Sequence, residues 1–195
     1  IGLTTSFTGE DSLDVAIDSG SDSAATNDNP MGFDTGSSLQ VDGVTYSFPV
    51  GGLSMIVGAD TDISASFTGA CTYSAFTDYM SDCGTGNSLG VGGSGVTATG
   101  SYAFDSGFSL AAGLSSTADS TVGILTEEGT DTYGIEAAYS ADSWALAVAY
   151  ISSDMATDDE ATVWGVNGSY TFDSTSLPTI SVGYETVDTG TDASG

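Results

Sequence analysis

The sequence predicts an all-β fold: an up-and-down antiparallel β-barrel of the transmembrane kind, with about ten strands in this chain. Three observations predict it. Apolar and small or polar residues alternate with period two, and no segment shows a 3.6-residue period. The links between the alternating stretches are short and long by turns. Bulky residues gather on one side of each stretch and small ones on the other.

Strands are read at 1–8, 12–18, 38–48, 52–58, 96–104, 108–115, 132–140, 143–151, 162–172 and 177–187. Leu13, Val15 and Ile17 alternate with Asp14, Ala16 and Asp18. Phe108, Leu110, Ala112 and Leu114 alternate with Ser109, Ala111 and Gly113. Tyr133, Ile135, Ala137 and Tyr139 are interleaved with Gly134, Glu136 and Ala138. Trp144, Leu146, Val148 and Tyr150 have Ala145, Ala147 and Ala149 between them. Trp164, Val166, Gly168, Tyr170 and Phe172 are interleaved with Gly165, Asn167, Ser169 and Thr171. The short links are TGED (8–11), PVG (49–51), DSG (105–107), AD (141–142) and DSTS (173–176). The long ones are 19–37, 59–95, 116–131 and 152–161. Short periplasmic turns alternating with long outer loops are the rhythm of an outer-membrane barrel. Greek-key sandwiches do not usually keep it.

Aromatic residues cluster at both strand ends. YSFPVGG (46–52), YAFDSGF (102–108) and YTFDSTS (170–176) repeat Tyr-x-Phe before a short link, and AAYSADSW (137–144) is a looser copy. They place Tyr46, Phe48, Tyr102, Phe104, Phe108, Tyr139, Trp144, Tyr170 and Phe172 on the bulky side at the short-link end. Tyr133, Tyr150, Trp164 and Tyr184 are read at the other end. Two rings flanking an aliphatic band are what interfacial girdles require. Eight steps from Trp164 to Phe172 span ~27 Å along a strand and ~20 Å after tilt, near the ~25 Å apolar band of such barrels. Periodicity alone does not say whether the bulky side meets a protein core or lipid.

Charge narrows the functions. The 195 residues include 27 Asp or Glu and no Lys, Arg or His, for a formal net charge of −27. Nothing can neutralise phosphate, so nucleic acid is excluded as a partner. No Lys can form a Schiff base, and no His can serve a triad or ligate zinc. The chain is expected not to be an enzyme. With 39% apolar residues it is not expected to be disordered. The start, IGLTTSFTGEDS, lacks the basic and apolar regions of a signal peptide. No apolar run approaches the ~20 residues of a spanning helix.

Most acids fall in the links, while Asp14, Asp18, Glu136 and Glu185 fall on the small-residue side, with Asn167. Unpaired charges in a dry core cost several kcal/mol each, but a water-filled lumen tolerates them. These five residues are therefore read as pore-lining. Cys71 and Cys83 are the only cysteines. They are read as a loop disulfide closing part of 59–95, with two free thiols as the alternative. Asp158, Asp159 and Glu160 suit a hard cation, so loose calcium is the one cofactor considered; a solvated acidic loop is the plainer reading. Asp-Thr-Gly occurs at 34–36 and 188–190. That pair gives an aspartic protease-like alternative, but little chain follows Asp188 to complete a second lobe. A stronger rival is a secreted acidic calcium-binding β-protein of adhesin or surface-layer type, with its aromatic face inward.

LTTSFTGEDSL (3–13), YSFPVGG (46–52), CTYSAFTDYMSDCGTGNS (71–88), SYAFDSGFSLAAGLSS (101–116) and YGIEAAYSADSWALAVAY (133–150) resemble the barrel region of cyanobacterial outer-membrane porins, relatives of the carbohydrate-selective porins. The resemblance implies a barrel of about sixteen strands in the cell outer membrane, of which this chain is a part. It implies passive passage of small hydrophilic solutes, carbohydrates or inorganic ions, with bilayer and lipopolysaccharide as partners and a homotrimer as the common assembly. The family often carries basic residues around the first short turn and second strand; here Glu10, Asp14 and Ala16 stand there, and the wall residues Asp14, Asp18, Glu136 and Glu185 are expected to favour cations. The 59–95 segment is the candidate for one that folds in and narrows the pore.

Overall fold

The structure, a computed structural model, describes residues 1–18, 39–59, 61, 63–69, 95–116, 130–154, 160–173 and 177–190. Among them are ten strands: β1 (Gly2–Thr5), β2 (Ser12–Asp18), β3 (Gln40–Val50), β4 (Leu53–Ala59), β5 (Val96–Ala103), β6 (Phe108–Ser116), β7 (Asp131–Ser140), β8 (Trp144–Asp154), β9 (Glu160–Tyr170) and β10 (Ile180–Asp188). They form one antiparallel sheet in strict chain order, with β1 and β10 at its edges. This is the expected all-β, up-and-down organisation.

Side chains alternate between faces, so register decides which residues share a side. The register gathers most bulky positions onto one face; Ile56, Ile151 and Val163 stand on the other. Phe48 pairs with Met55, Met55 with Gly100, Gly100 with Ala112, Ala112 with Ile135, Ile135 with Tyr150 and Tyr150 with Trp164. A row beginning at Tyr46 passes through Val57, Ala98, Leu114, Tyr133, Ser152 and Thr162 to Asp188, the last residue of β10. The strands are thus staggered in one direction, as tilted barrel strands are. Between β2 and β3, Ala16 pairs with Gly43 but Ile17 with Val41, so Asp42 is the extra residue of a bulge.

The turns explain the ends. Between β5 and β6, Phe104 N–H donates to Phe108 O at 2.8 Å and Gly107 N–H to Phe104 O at 3.1 Å. Gly107 has φ +88°, and a Cβ there would lie 2.5 Å from Ser140 O. Both the backbone and the space demand glycine. The link after β3 is Gly51–Gly52 rather than 49–51, because β3 runs on to Val50. Pro49 fits in that strand because the pairing of β2 stops at Ser12 opposite Ser47, leaving one side of β3 open at Pro49. The link after β9 is longer than expected, since Tyr170 pairs with Ile180. Phe104 and Phe172 accordingly sit just beyond their strands.

Asp11 organises the first link. Its Oδ1 accepts hydrogen bonds from Ser6 Oγ (2.7 Å), Phe7 N (3.0 Å), Thr8 N (2.7 Å) and Thr8 Oγ1 (2.8 Å), and its Oδ2 from Tyr46 Oη (2.6 Å). The Tyr46 hydroxyl, then the Thr8 amide and the Ser6 hydroxyl, hold this carboxyl far below the usual carboxylate range. The folded form therefore resists protonation more than the unfolded one. The contribution is complete above the ordinary Asp value of about 3.9 and is lost as pH falls from there toward the folded value. Thermal melts of the wild type are expected to lose stability below about pH 4, and Asp11→Asn to be less stable at pH 7 with a shallower acid-induced loss. Equal pH slopes for the two would contradict this role.

Candidate functional site

The two faces differ in exposure. On the bulky face Trp144 (44%), Leu146 (44%), Trp164 (52%) and Val166 (41%) are exposed. On the small-residue face Ala147, Ala149, Ile151, Ala161 and Val163 are fully buried. A water-soluble sandwich has the reverse arrangement, with large side chains inside.

Residues 63–69, which follow β4, supply part of the cover. A 3-10 helix at Ile63–Ser66, which alternation did not predict, lies against the small-residue face of β4 to β7. Its seat is a notch made by glycines. Gly113 pairs with Gly134. A Cβ at Gly113 would meet Ile63 Cβ at 2.9 Å, and one at Gly134 would meet Ile63 Cδ1 at 2.9 Å, Ile151 Cγ1 at 3.0 Å and Phe67 Cζ at 3.2 Å. Ile63, Ile151 and Val163 form a buried cluster with Phe67 against it. Burying a side chain such as Ile63 contributes roughly 1.5–3 kcal/mol.

Polar contacts fasten the backbone of the segment. Thr97 Oγ1 donates to Thr61 O (2.6 Å), and Thr99 Oγ1 lies 3.1 Å from both Ile63 O and Ala112 O. Thr68 N–H donates to Glu136 Oε1. Thr61, Thr68, Thr97 and Thr99 were not singled out from the sequence. Their signal was a pair of threonines on the small-residue side of β5, facing carbonyls from a link of unknown path.

Of the residues read as pore-lining, Asp14, Glu136, Asn167 and Glu185 share the small-residue face, and their surroundings differ. Asp14 is half-buried and accepts from Thr4 Oγ1 (2.5 Å) and Ser12 Oγ (2.7 Å). Asp18 ends β2, and its side chain is outside the described part. Glu136 is only 3% exposed, lying beneath the 61–69 segment, and Asn167 is 1% exposed. Glu185 is half-buried in the row that runs from Glu136 through Ala149 and Gly165.

Aromatic rings meet at the short-link end. Phe108 and Tyr139 have centroids 4.7 Å apart, and Tyr139 and Trp144 5.1 Å apart. Tyr46 and Phe48 stack at 5.2 Å; Tyr102 and Phe104 meet at 4.7 Å, and Tyr170 and Phe172 at 4.9 Å. Farther along the strands, Tyr150 and Trp164 meet at 4.8 Å. Tyr184 is not in that row: it pairs with Val166, in the middle of the band.

Cys71, Cys83, Asp158, Asp159 and Asp34 lie outside the described residues. Glu160 accepts from Ser152 Oγ at 2.6 Å, and Asp188 accepts the Gly190 amide at 3.1 Å. Among the described residues no three acidic side chains converge to hold a metal ion. No described helix is long and apolar enough to cross a membrane, a statement that leaves strands aside. No protein-family model matches the chain, and no curated protein matches it.

Proposed function

We propose that this chain is the barrel region of an outer-membrane porin, or a large part of one. It lets small hydrophilic solutes and ions diffuse passively and favours cations. The observation that carries the reading is the sorting of side chains: one face exposes an aliphatic band with clustered aromatics and holds carboxylates only at strand ends, as at Asp131, Asp154, Glu160 and Asp188, while the mid-strand carboxylates Asp14, Glu136 and Glu185 stand on the opposite, small-residue face. Lipid suits the first face and a wet lumen the second. The seating of residues 63–69 on the second face supports a segment that narrows such a lumen. Tyr46 supports an interfacial girdle, since its ring lies with the bulky side chains while its hydroxyl reaches the polar Asp11 turn.

With no cationic side chain in the sequence, the field inside such a lumen attracts cations alone. In planar bilayers the protein is expected to give stepwise conductance and, under a potassium chloride gradient, a reversal potential of cation-selective sign. Selectivity is expected to weaken as salt rises from 0.1 to 1 M, where the screening length shrinks from about 10 to about 3 Å. A chain that stays soluble without detergent and gives no conductance would contradict the proposal. Calcium-dependent folding of such a soluble chain would favour the secreted calcium-binding alternative.

A further inference from the structure

We infer that a hollow on the bulky face seats an acyl chain of a phospholipid whose headgroup ends in an ammonium group, held at the carboxylate rim of the long-link end. The inference rests on the porin reading, which turns this face to lipid. The hollow has a volume of about 630 Å³. It lies where small residues interrupt the bulky band: Gly100 pairs with Ala112, and Ala137 follows on the next strand. Ile135, Tyr150 and Trp164 line it on the side toward the long links. None of these six side chains carries a charge, so a hydrocarbon chain suits them, and an empty hollow would forfeit their dispersion contacts.

The rim identifies the headgroup. Asp154 and Glu160, both exposed, stand directly opposite one another at the ends of β8 and β9. Asp188, also exposed, pairs with Thr162, two residues along β9 from Glu160. Like charges facing one another destabilise a sheet, and the sequence has no cationic side chain to set between them. An ammonium group supplies the missing charge and its N–H donors. An anionic headgroup is repelled unless it brings a bridging cation with it. A second copy of the chain would bring only more carboxylates. The reach agrees. From Asp154 to Val148, which lines the hollow, the strand spans ~20 Å, or ~15 Å after tilt. That is half of the ~30 Å hydrocarbon core, the depth of one leaflet.

The test follows Trp164, which borders the hollow, in the full chain carrying Trp144→Phe so that one tryptophan remains. The protein is inserted into vesicles that mix phosphatidylethanolamine with phosphatidylglycerol, one or the other brominated on its acyl chains, at about 0.1 M salt without divalent ions. Quenching is expected to show about a fivefold preference for the ethanolamine lipid. Asp154→Asn combined with Glu160→Gln is expected to bring the preference close to one. Ala137→Phe, which fills the hollow, is expected to do the same while both lipids still quench. Equal quenching by the two lipids in the parent chain, or a preference for the glycerol lipid, would overturn the inference and leave the porin reading standing. Quenching by neither would overturn both. A preference that survives the carboxylate substitutions would overturn the role of the rim. Should those variants fail to insert, the parent chain at about 1 M salt decides, since a preference undiminished by screening overturns the inference.

Discussion

Val166→Arg is expected to destabilise the lipid-inserted protein by about 2–4 kcal/mol, the cost of a cationic side chain near the bilayer midplane on a barrel's outer face. Val166 stands mid-strand between Val148 and Tyr184 on the bulky face, away from the ring at Tyr170 and from the Trp164 row. An arginine there has no carboxylate in its own row. Its neighbours on that face are Trp164 and Gly168 along β9. Reversible urea unfolding from lipid vesicles measures the difference. If the same face met water, an exposed valine changed to arginine would shift stability by no more than about 0.5 kcal/mol. The two readings differ well beyond the error of such a measurement.

Ile63→Ala is expected to cost about 2–5 kcal/mol, because it empties a fully buried site. The notch at Gly113 and Gly134 offers no side chain to refill the space. Loss of this anchor also loosens the segment that Thr97, Thr99 and Glu136 hold by hydrogen bonds alone. In the porin reading, single-channel conductance is expected to rise and to become noisier. A variant with wild-type stability would show that the Ile63 contact contributes little. Gly113→Val attacks the same contact from the other side, since its Cβ would collide with Ile63 Cβ and backbone oxygen. Overpacking of that kind costs typically 1–3 kcal/mol.

The strands were legible because a sheet with unlike faces writes its geometry directly into residue order. Tyr133 to Tyr139 and Trp144 to Tyr150 alternate without interruption, and β7 and β8 lie where that alternation placed them. Turn chemistry was legible where a local device fixes it, as at Asp105–Gly107. The link after Tyr170 was misjudged by several residues, because its end depends on the pairing of Ile180 and not on a turn residue. The 3-10 helix was not legible at all. Four residues hold too little pattern to show a period, and Ile63 is buried by glycines some 50 and 70 positions downstream. The sequence placed Glu136 and Asn167 on the correct side. Their cover depends on what lies across that side, which strand alternation does not encode.

Trp144 and Trp164 are the only tryptophans, and both project from the bulky face. Their fluorescence in vesicles, quenched either by lipids brominated on the acyl chains or by acrylamide in the water, reads the orientation of the sheet without any substitution. Strong quenching by brominated lipid with little by acrylamide is the predicted result. Efficient quenching by acrylamide with none from the lipid, or indoles shielded from both, would contradict it.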